Sequence, residues 1–244
     1  MSRNKNTPKK NYQKMNWLHE LKNLPRWKKY SQADEECYLE HILNHLPQES
    51  RHIVELGAWD GYHLSNTRYF IEKGYTALLI DGDNRGNNEV KEHFITKRNI
   101  LDILADYKTP TYFDLLCLDL DGNDLYILEE ILSGYIPSVI ICEFNPIHKP
   151  NESKTIPYDE EHTWGNDDYY GFSFLAGVRL AQTNGYSVVH QNDNLNLYMV
   201  ENNVLAKTLG VPVHELGQHI PTVTYDAVHY HPISRKQTWV DYEP

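Results

Sequence analysis

The 244-residue sequence lacks any apolar run approaching the roughly 18 residues a membrane-spanning helix needs. Its N-terminus is charged, with no apolar stretch behind it, so a secretory leader is not expected. Cysteine is scarce: Cys37, Cys117 and Cys142 are odd in number and far apart, and none belongs to a C-x-x-C or close Cys/His pair that would hold a structural zinc. Cys117 and Cys142 sit inside apolar runs, where buried free thiols belong. A reducing, cytoplasmic setting is the expectation. Positive charge is short as well. The net charge is −11, and residues 1–30 alone hold nine Lys/Arg against the single acid Glu20, so the rest of the chain stands at −19. An acidic body repels phosphate backbones, which argues against nucleic acid as a partner. The basic extension 1–30 reads as a solvated tail.

What the sequence does have is a regular alternation. After an amphipathic segment at 32–46, strand-like and helix-like stretches take turns. Strands are expected at 52–56, 75–81, 111–120 and 137–144, with helices at 64–74, 86–94 (weak), about 99–107 and 124–134. Buried apolar strands separated by helices predict a parallel sheet covered on both faces. The alternation breaks at 145–170, which is rich in Pro, acids and aromatics. A helix at 172–185 and two strands around the turn-forming "NDN" follow, and these read as a terminal antiparallel hairpin. The last forty residues are irregular and rich in His and Tyr. His214, His219, His229 and His231 match no ligand spacing and stay unassigned. The expected organisation is an extension (1–30), a central domain (31–203) with a lid-like insertion at 145–170, and a tail (204–244).

In an open parallel sheet, ligands bind beyond the carboxyl ends of the strands. The first strand there ends in "VELGAWDG": an acid, Glu55, then glycines at 57 and 61 that let the backbone bend and approach a ligand. Asp81 ends the second strand about 24 residues after Gly57, near the offset at which a carboxylate reads a ribose, and Asp83 is an alternative. A dinucleotide site wants G-x-G-x-x-G, whereas Trp59 stands here where the backbone would approach phosphate. A ligand without phosphate and with an amino-acid end, such as S-adenosylmethionine, fits better.

"VELGAWDG" resembles the E-x-G-x-x-x-G motif of class I S-adenosylmethionine-dependent methyltransferases. "ELGAWDGYHLSNT", "LLIDGD", "LCLDLDGND", "ICEFNP" and "IPYDEEHTWGNDDYYGFSFLAGVRLAQTNGY" together resemble the FkbM-like group over residues 50–200. The resemblance implies a Rossmann-like seven-stranded α/β sheet, mostly parallel with a terminal antiparallel hairpin. It implies a cofactor seat of Glu55, Gly57, Ala58, Gly61, Asp81, Gly82 and Asp119, with Asn99 and Ile100 near the adenine. It also implies an O-methyltransferase acting on a sugar-like or other small hydroxylated acceptor; charge and the lack of apolar runs add no nucleic acid and no membrane as partners, and homo-oligomers are compatible.

A second acidic group, Asp119, Asp121 and Asp124, is expected at the end of the fourth strand, and Glu143 and Asn145 at the end of the fifth. Clustered carboxylates repel unless a proton or a cation joins them, and oxygen ligands of this kind suit magnesium or calcium. Three roles stay open: a metal site of Asp119, Glu143 and Asn145, a general base among Asp119, Asp121 and Glu143, or helix capping by Asp121 and Asp124. Asn145, Tyr158, Trp164 and Tyr169 are candidates for acceptor contacts. A nicotinamide-dependent oxidoreductase and a non-catalytic binding module are the alternative functions.

Overall fold

A computed structural model describes residues 17–235 and 238–244, so most of the basic extension lies outside the described residues. In chain order the elements are α1 (Trp17–Glu20), α2 (Glu35–His45), β1 (His52–Leu56), α3 (Arg68–Glu72), β2 (Thr76–Asp81), β3 (Val90–Glu92), α4 (Ile100–Asp106) and β4 (Tyr112–Leu118). They continue with α5 (Asp124–Gly134), β5 (Ile136–Glu143), β6 (Lys154–Thr155), α6 (Phe174–Thr183), β7 (Tyr186–Asn192), β8 (Asn196–Glu201), α7 (Asn202–Leu209) and β9 (Val240–Asp241). Seven strands form one sheet in the order β3-β2-β1-β4-β5-β8-β7. β3 through β5 are mutually parallel, and β8 runs antiparallel to both β5 and β7. The expected sheet, with its antiparallel terminal pair, is therefore present. No helix among the described residues is long and apolar enough to cross a membrane.

The period-2 geometry of the central strands sorts their side chains into two cores. Val54, Leu56, Leu116, Leu118, Ile140 and Cys142 face one side and pack with α4, α5 and α6. Ile53, Leu115, Cys117, Val139 and Ile141 face the other and pack with α1, α2 and α7. Strands buried on both faces must be apolar at nearly every position, and that requirement made them legible as continuous runs.

Two elements differ from expectation. The helix expected over 64–74 is shortened to Arg68–Glu72, because residues 65–67 are drawn onto the Glu55 carboxylate instead. The weak helix at 86–94 is a turn followed by β3. Gly86 has φ +80°, incompatible with a continuing helix, and Val90 is buried against β2, pairing with Leu79. Local propensity there yields to pairing and burial.

The two irregular segments pack on each other. β9 pairs with β6, the Tyr242 amide donates to the Ser153 carbonyl (3.0 Å), and the Val228 amide donates to the Pro146 carbonyl (2.9 Å). Residues 202–209 form a helix capped by the Glu201 carboxylate, which accepts from the Val204 amide at 2.8 Å, and closed by Gly210 at φ +73°.

α2 is tied down by an acid of its own first turn. Glu36 is completely buried and accepts from the amides of Lys29 (3.2 Å), Tyr30 (2.6 Å) and Ser31 (2.9 Å), and from the Ser31 hydroxyl. Removing it leaves three amides without their acceptor. Glu36→Ala is expected to cost about 2–4 kcal/mol of stability, read as a lower urea midpoint at an unchanged slope; an unchanged midpoint would show that water replaces the carboxylate freely.

Candidate active site

The strand order reverses at β1, which has β2 on one side and β4 on the other. At such a switch point the connections leave in opposite directions and open a crevice beyond the strand ends. The crevice is present as a cleft of about 480 Å³. Its floor is where β1 meets β4. Gly57 has φ +83°, and a Cβ there would fall 1.7 Å from the Asp119 carbonyl oxygen, so no other residue fits. The Gly57 and Ala58 amides donate to the Ile80 carbonyl at 2.9 and 3.0 Å, and the Asp119 amide donates to the Leu56 carbonyl at 3.0 Å. The three strand ends are thereby stitched together beneath the cleft.

Glu55 does not line the cleft. It is 3 % exposed, and its oxygens receive the Ser65 hydroxyl (2.8 Å), the Thr67 hydroxyl (2.5 Å) and the Asn66 amide (2.9 Å). Burial raises its pKa, against the lowering effect of those bonds. The motif acid holds the loop that rims the cleft. Ala58 and Gly61 are likewise structural: Ala58 is buried, and Gly61 packs among Arg68, Leu79 and Val90.

Asp81 and Gly82 line the cleft at the end of β2. The Asp81 carboxylate accepts the Trp59 amide (2.7 Å) on one oxygen and the Asp83 amide (3.0 Å) on the other. Each oxygen keeps a lone pair for a ligand. Asn99 and Ile100 are not brought to the cleft. Asn99 binds the Thr96 amide and the Phe94 carbonyl at the head of α4, and Ile100 is completely buried in the core. The residues that do line this end are His93, Phe94 and Ile95, which follow β3.

At the other end, Asp119, Asp121 and Glu143 each bring one carboxylate oxygen within 4.8 Å of the others. Asp121 reaches in from a left-handed backbone conformation, φ +53°, one of the uncommon strained positions that gather at functional sites. Asp124 does not join them. Its oxygens accept the Leu120 amide (2.7 Å) and the Gly122 amide (2.8 Å) and brace the turn before α5. Asn145 is also turned away. It is completely buried, donates to the Asp168 and Tyr170 carbonyls (3.0 and 2.9 Å), and accepts from the Ile147 amide. Burial raises the Asp119 and Glu143 pKa values well above the ordinary range, and the neighbouring carboxylates add to this; Asp121 is pushed up to about 6 by burial, Asp124 and Asp81.

Trp164 lines the cleft, its indole N–H donating to the Asp167 carbonyl at 2.8 Å. Tyr158 and Tyr169 do not. The Tyr158 hydroxyl accepts the Lys97 amide (3.1 Å), and the Tyr169 hydroxyl donates to the Thr238 carbonyl (2.8 Å). The lining also includes Glu35, Asn66, His162, Asn196 and His231, which the sequence did not mark. Asn196 arrives because the antiparallel register sets it opposite Glu143. Asn66 is 7 % exposed and its side-chain oxygen has no partner among the described residues.

No family model matches the chain, and no curated protein matches it. Among solved structures, the chain is similar to the N-terminal domain of EvdMO1, determined in the presence of SAH and D-fucose, with 12 % identity, 77 % of this chain and 94 % of that one covered, and a TM-score of 0.43. It is also similar to an O-methyltransferase family protein from Burkholderia thailandensis, at 10 % identity, 78 % and 68 % coverage and a TM-score of 0.40. A SAM-dependent methyltransferase from Aquifex aeolicus aligns at 11 % identity, 66 % and 87 % coverage and a TM-score of 0.37.

A carboxyl whose pKa is raised by folding favours the protonated protein. Its contribution to stability is complete below the ordinary carboxylate range and is lost as pH rises through the raised value. Mutual repulsion among Asp119, Asp121 and Glu143 therefore strains the fold at alkaline pH. Glu143→Gln is expected to raise Tm by about 2–4 °C near pH 8, with the gain shrinking near pH 5. A loss of Tm of the same size at both pH values would rule out mutual repulsion as the cluster's main effect.

Proposed function

We propose that the chain is an S-adenosylmethionine-dependent methyltransferase of the FkbM-like kind, acting on an oxygen of a small hydroxylated, sugar-like acceptor. The observation that carries this reading is one cleft at the switch point, with an open carboxylate, Asp81, at the end of β2 and a carboxylate cluster at the ends of β4 and β5. The first suits ribose hydroxyls, and the second suits an acceptor that must lose a proton. We assign the methyltransferase unit to residues 31–203, with 145–170 and the tail 204–244 together covering its acceptor end.

When bound, S-adenosylmethionine supplies a methyl group on a positively charged sulfur. Gly57 brings the backbone close at the centre of the cleft, and Asp81 offers its free lone pairs to the ribose. Phe94, with His93 and Ile95, gives an apolar face for the adenine in place of Asn99 and Ile100. Asn66, which lines the same cleft, would face the cofactor's amino-acid end. Asp121, ionised above about 6, takes the proton of the acceptor hydroxyl, while Asp119 and Glu143 hold that hydroxyl in line. Alignment of the reactants contributes most of the rate. Mg2+ fits Asp119, Asp121 and Glu143 in ligand type, without Asn145, and bound there would acidify the acceptor hydroxyl.

Calorimetry tests the cofactor assignment. S-adenosylhomocysteine should bind saturably and NAD should not, because Trp59 occupies the approach a pyrophosphate needs. Asp81→Asn should weaken S-adenosylhomocysteine by about tenfold, and Phe94→Ala should weaken it less. Saturable NAD binding with no S-adenosylhomocysteine binding would replace this reading with the oxidoreductase.

A further inference from the structure

Large apolar side chains left in water gather at the mouth of the cleft. Trp59 (47 % exposed), Leu64 (40 %) and Phe94 (53 %) all line it. Single exposed apolar residues are ordinary, whereas a group of them around one concavity marks a binding groove. The strand order arranges two of the three. Asp81 ends β2, the strand between β3 and β1; Phe94 follows β3 and Trp59 follows β1. A nucleoside held on Asp81 is therefore offered an aromatic residue from the strand on either side.

Trp59 is strained into its place. Its backbone is left-handed, φ +49°, a conformation that bulky residues rarely adopt and that gathers at ligand clamps. Its amide donates to the Asp81 carboxylate at 2.7 Å, so the group assigned to the ribose also fixes the residue beside it. Arg85, itself left-handed at φ +52° with its amide on the Asp83 carboxylate (3.0 Å), carries its guanidinium to 4.9 Å from the Trp59 ring. Among the described residues Arg85 is the one Lys or Arg lining the cleft, and its side chain also reaches Asp83 at 3.3 Å. The His63 ring meets the indole edge-on at 5.5 Å. The two loops that carry these groups are joined to each other. The Asn87 side-chain amide donates to the Asp60 carbonyl (2.8 Å), and the buried Arg68 donates to the Gly61 carbonyl (2.6 Å) while pairing with Glu89 (2.8 Å). An indole held from this many sides, yet half exposed over a cleft, lacks only a ligand to cover it.

We propose that Trp59 is a cofactor-binding residue, a clasp that covers the nucleoside from the β1 side as Phe94 does from the β3 side, and that Arg85 is a positioning residue that acts by holding the indole. This inference rests on the methyltransferase reading. An indole laid against the ribose and the thioether removes apolar surface of both partners from water. Little ordering opposes the contact, because the backbone and the ring are already held in the free protein. The gain falls mostly on release, since contacts of this kind are broken on the way out and not made on the way in.

The test titrates S-adenosylhomocysteine into the whole chain and its variants, read by calorimetry, by stopped-flow and by tryptophan emission. Of the five tryptophans, Trp59 and Trp164 line the cleft. Binding should move the emission to shorter wavelength and protect it from acrylamide. Trp59→Phe should remove most of that response while keeping affinity within about threefold. Trp59→Gly suits the left-handed backbone, so its Tm should stay within about 2 °C of the parent. Its affinity should nevertheless fall about tenfold, chiefly through faster release. Arg85→Ala should weaken binding about threefold, and Arg85→Lys, which keeps a cation over the ring, should restore it. Trp59→Gly binding as tightly as the parent, or an emission response unchanged in Trp59→Phe, would overturn the clasp. Equal affinities of the parent and Arg85→Ala would overturn the part given to Arg85. Failure of S-adenosylhomocysteine to bind the parent would count against the methyltransferase reading instead.

Discussion

The contact on which the site depends is between two pieces of backbone: Gly57 at the end of β1 against the carbonyl of Asp119 at the end of β4. Parallel neighbours diverge where their chains turn to opposite faces, and the crevice between them would gape if nothing closed its floor. Here the Leu56 carbonyl takes the Asp119 amide, and the Ile80 carbonyl takes two amides from the opposite side. Only a residue without a Cβ permits that approach. One glycine thus sets the spacing between the Asp81 end of the cleft and the carboxylate end.

The acid two residues before that glycine acts at one remove. Buried Glu55 receives three donors from residues 65–67, drawing the loop after Gly61 back across β1. That loop presents Ser65 and Asn66 to the cleft and delays α3 to Arg68. A buried carboxylate is stable only when its oxygens are occupied, so the loop and the acid require each other. "VELGAWDG" reflects this geometry, in which the acid that anchors the loop stands two residues before the close-approach glycine.

How much could be read in advance follows from the range of the interactions involved. The strands, the antiparallel terminal pair and the position of the cleft were legible because double-sided burial and period-2 packing act locally. Asp81, Gly82, Asp119, Asp121 and Glu143 were legible for the same reason, since each stands at a strand end. Asn99 and Ile100 were misplaced because β3 is only three residues long, and the turn after it, not the next helix, brings Phe94 to the cleft. Asn145 was misassigned because its amide is recruited by the Asp168 and Tyr170 carbonyls, a contact more than twenty residues away. Asn196 and Glu35 gave no signal at all. One depends on the register between β5 and β8, the other on the docking of α2 over the sheet edge.

The two ends of the cleft are consequently built by different rules. The end at β1 and β2 is made from consecutive residues of the sheet, so its chemistry is bound to the fold. The carboxylate end is walled by parts that come from everywhere else: Glu35 from α2, Asn196 from the antiparallel strand, Trp164 and Tyr170 from the long segment before α6, and His231 from the C-terminal stretch. The last two are locked together, since the Asp168 amide donates to the Pro232 carbonyl while the Asp168 carboxylate takes the Ser234 amide and pairs with His229. The aromatic wall beside the three carboxylates therefore exists only when the C-terminal stretch is docked. Changes in that stretch would alter which molecule is accepted while leaving the Asp81 end of the cleft untouched, because His231 of that stretch lines the cleft and Asp81 is held by the amides of Trp59 and Asp83.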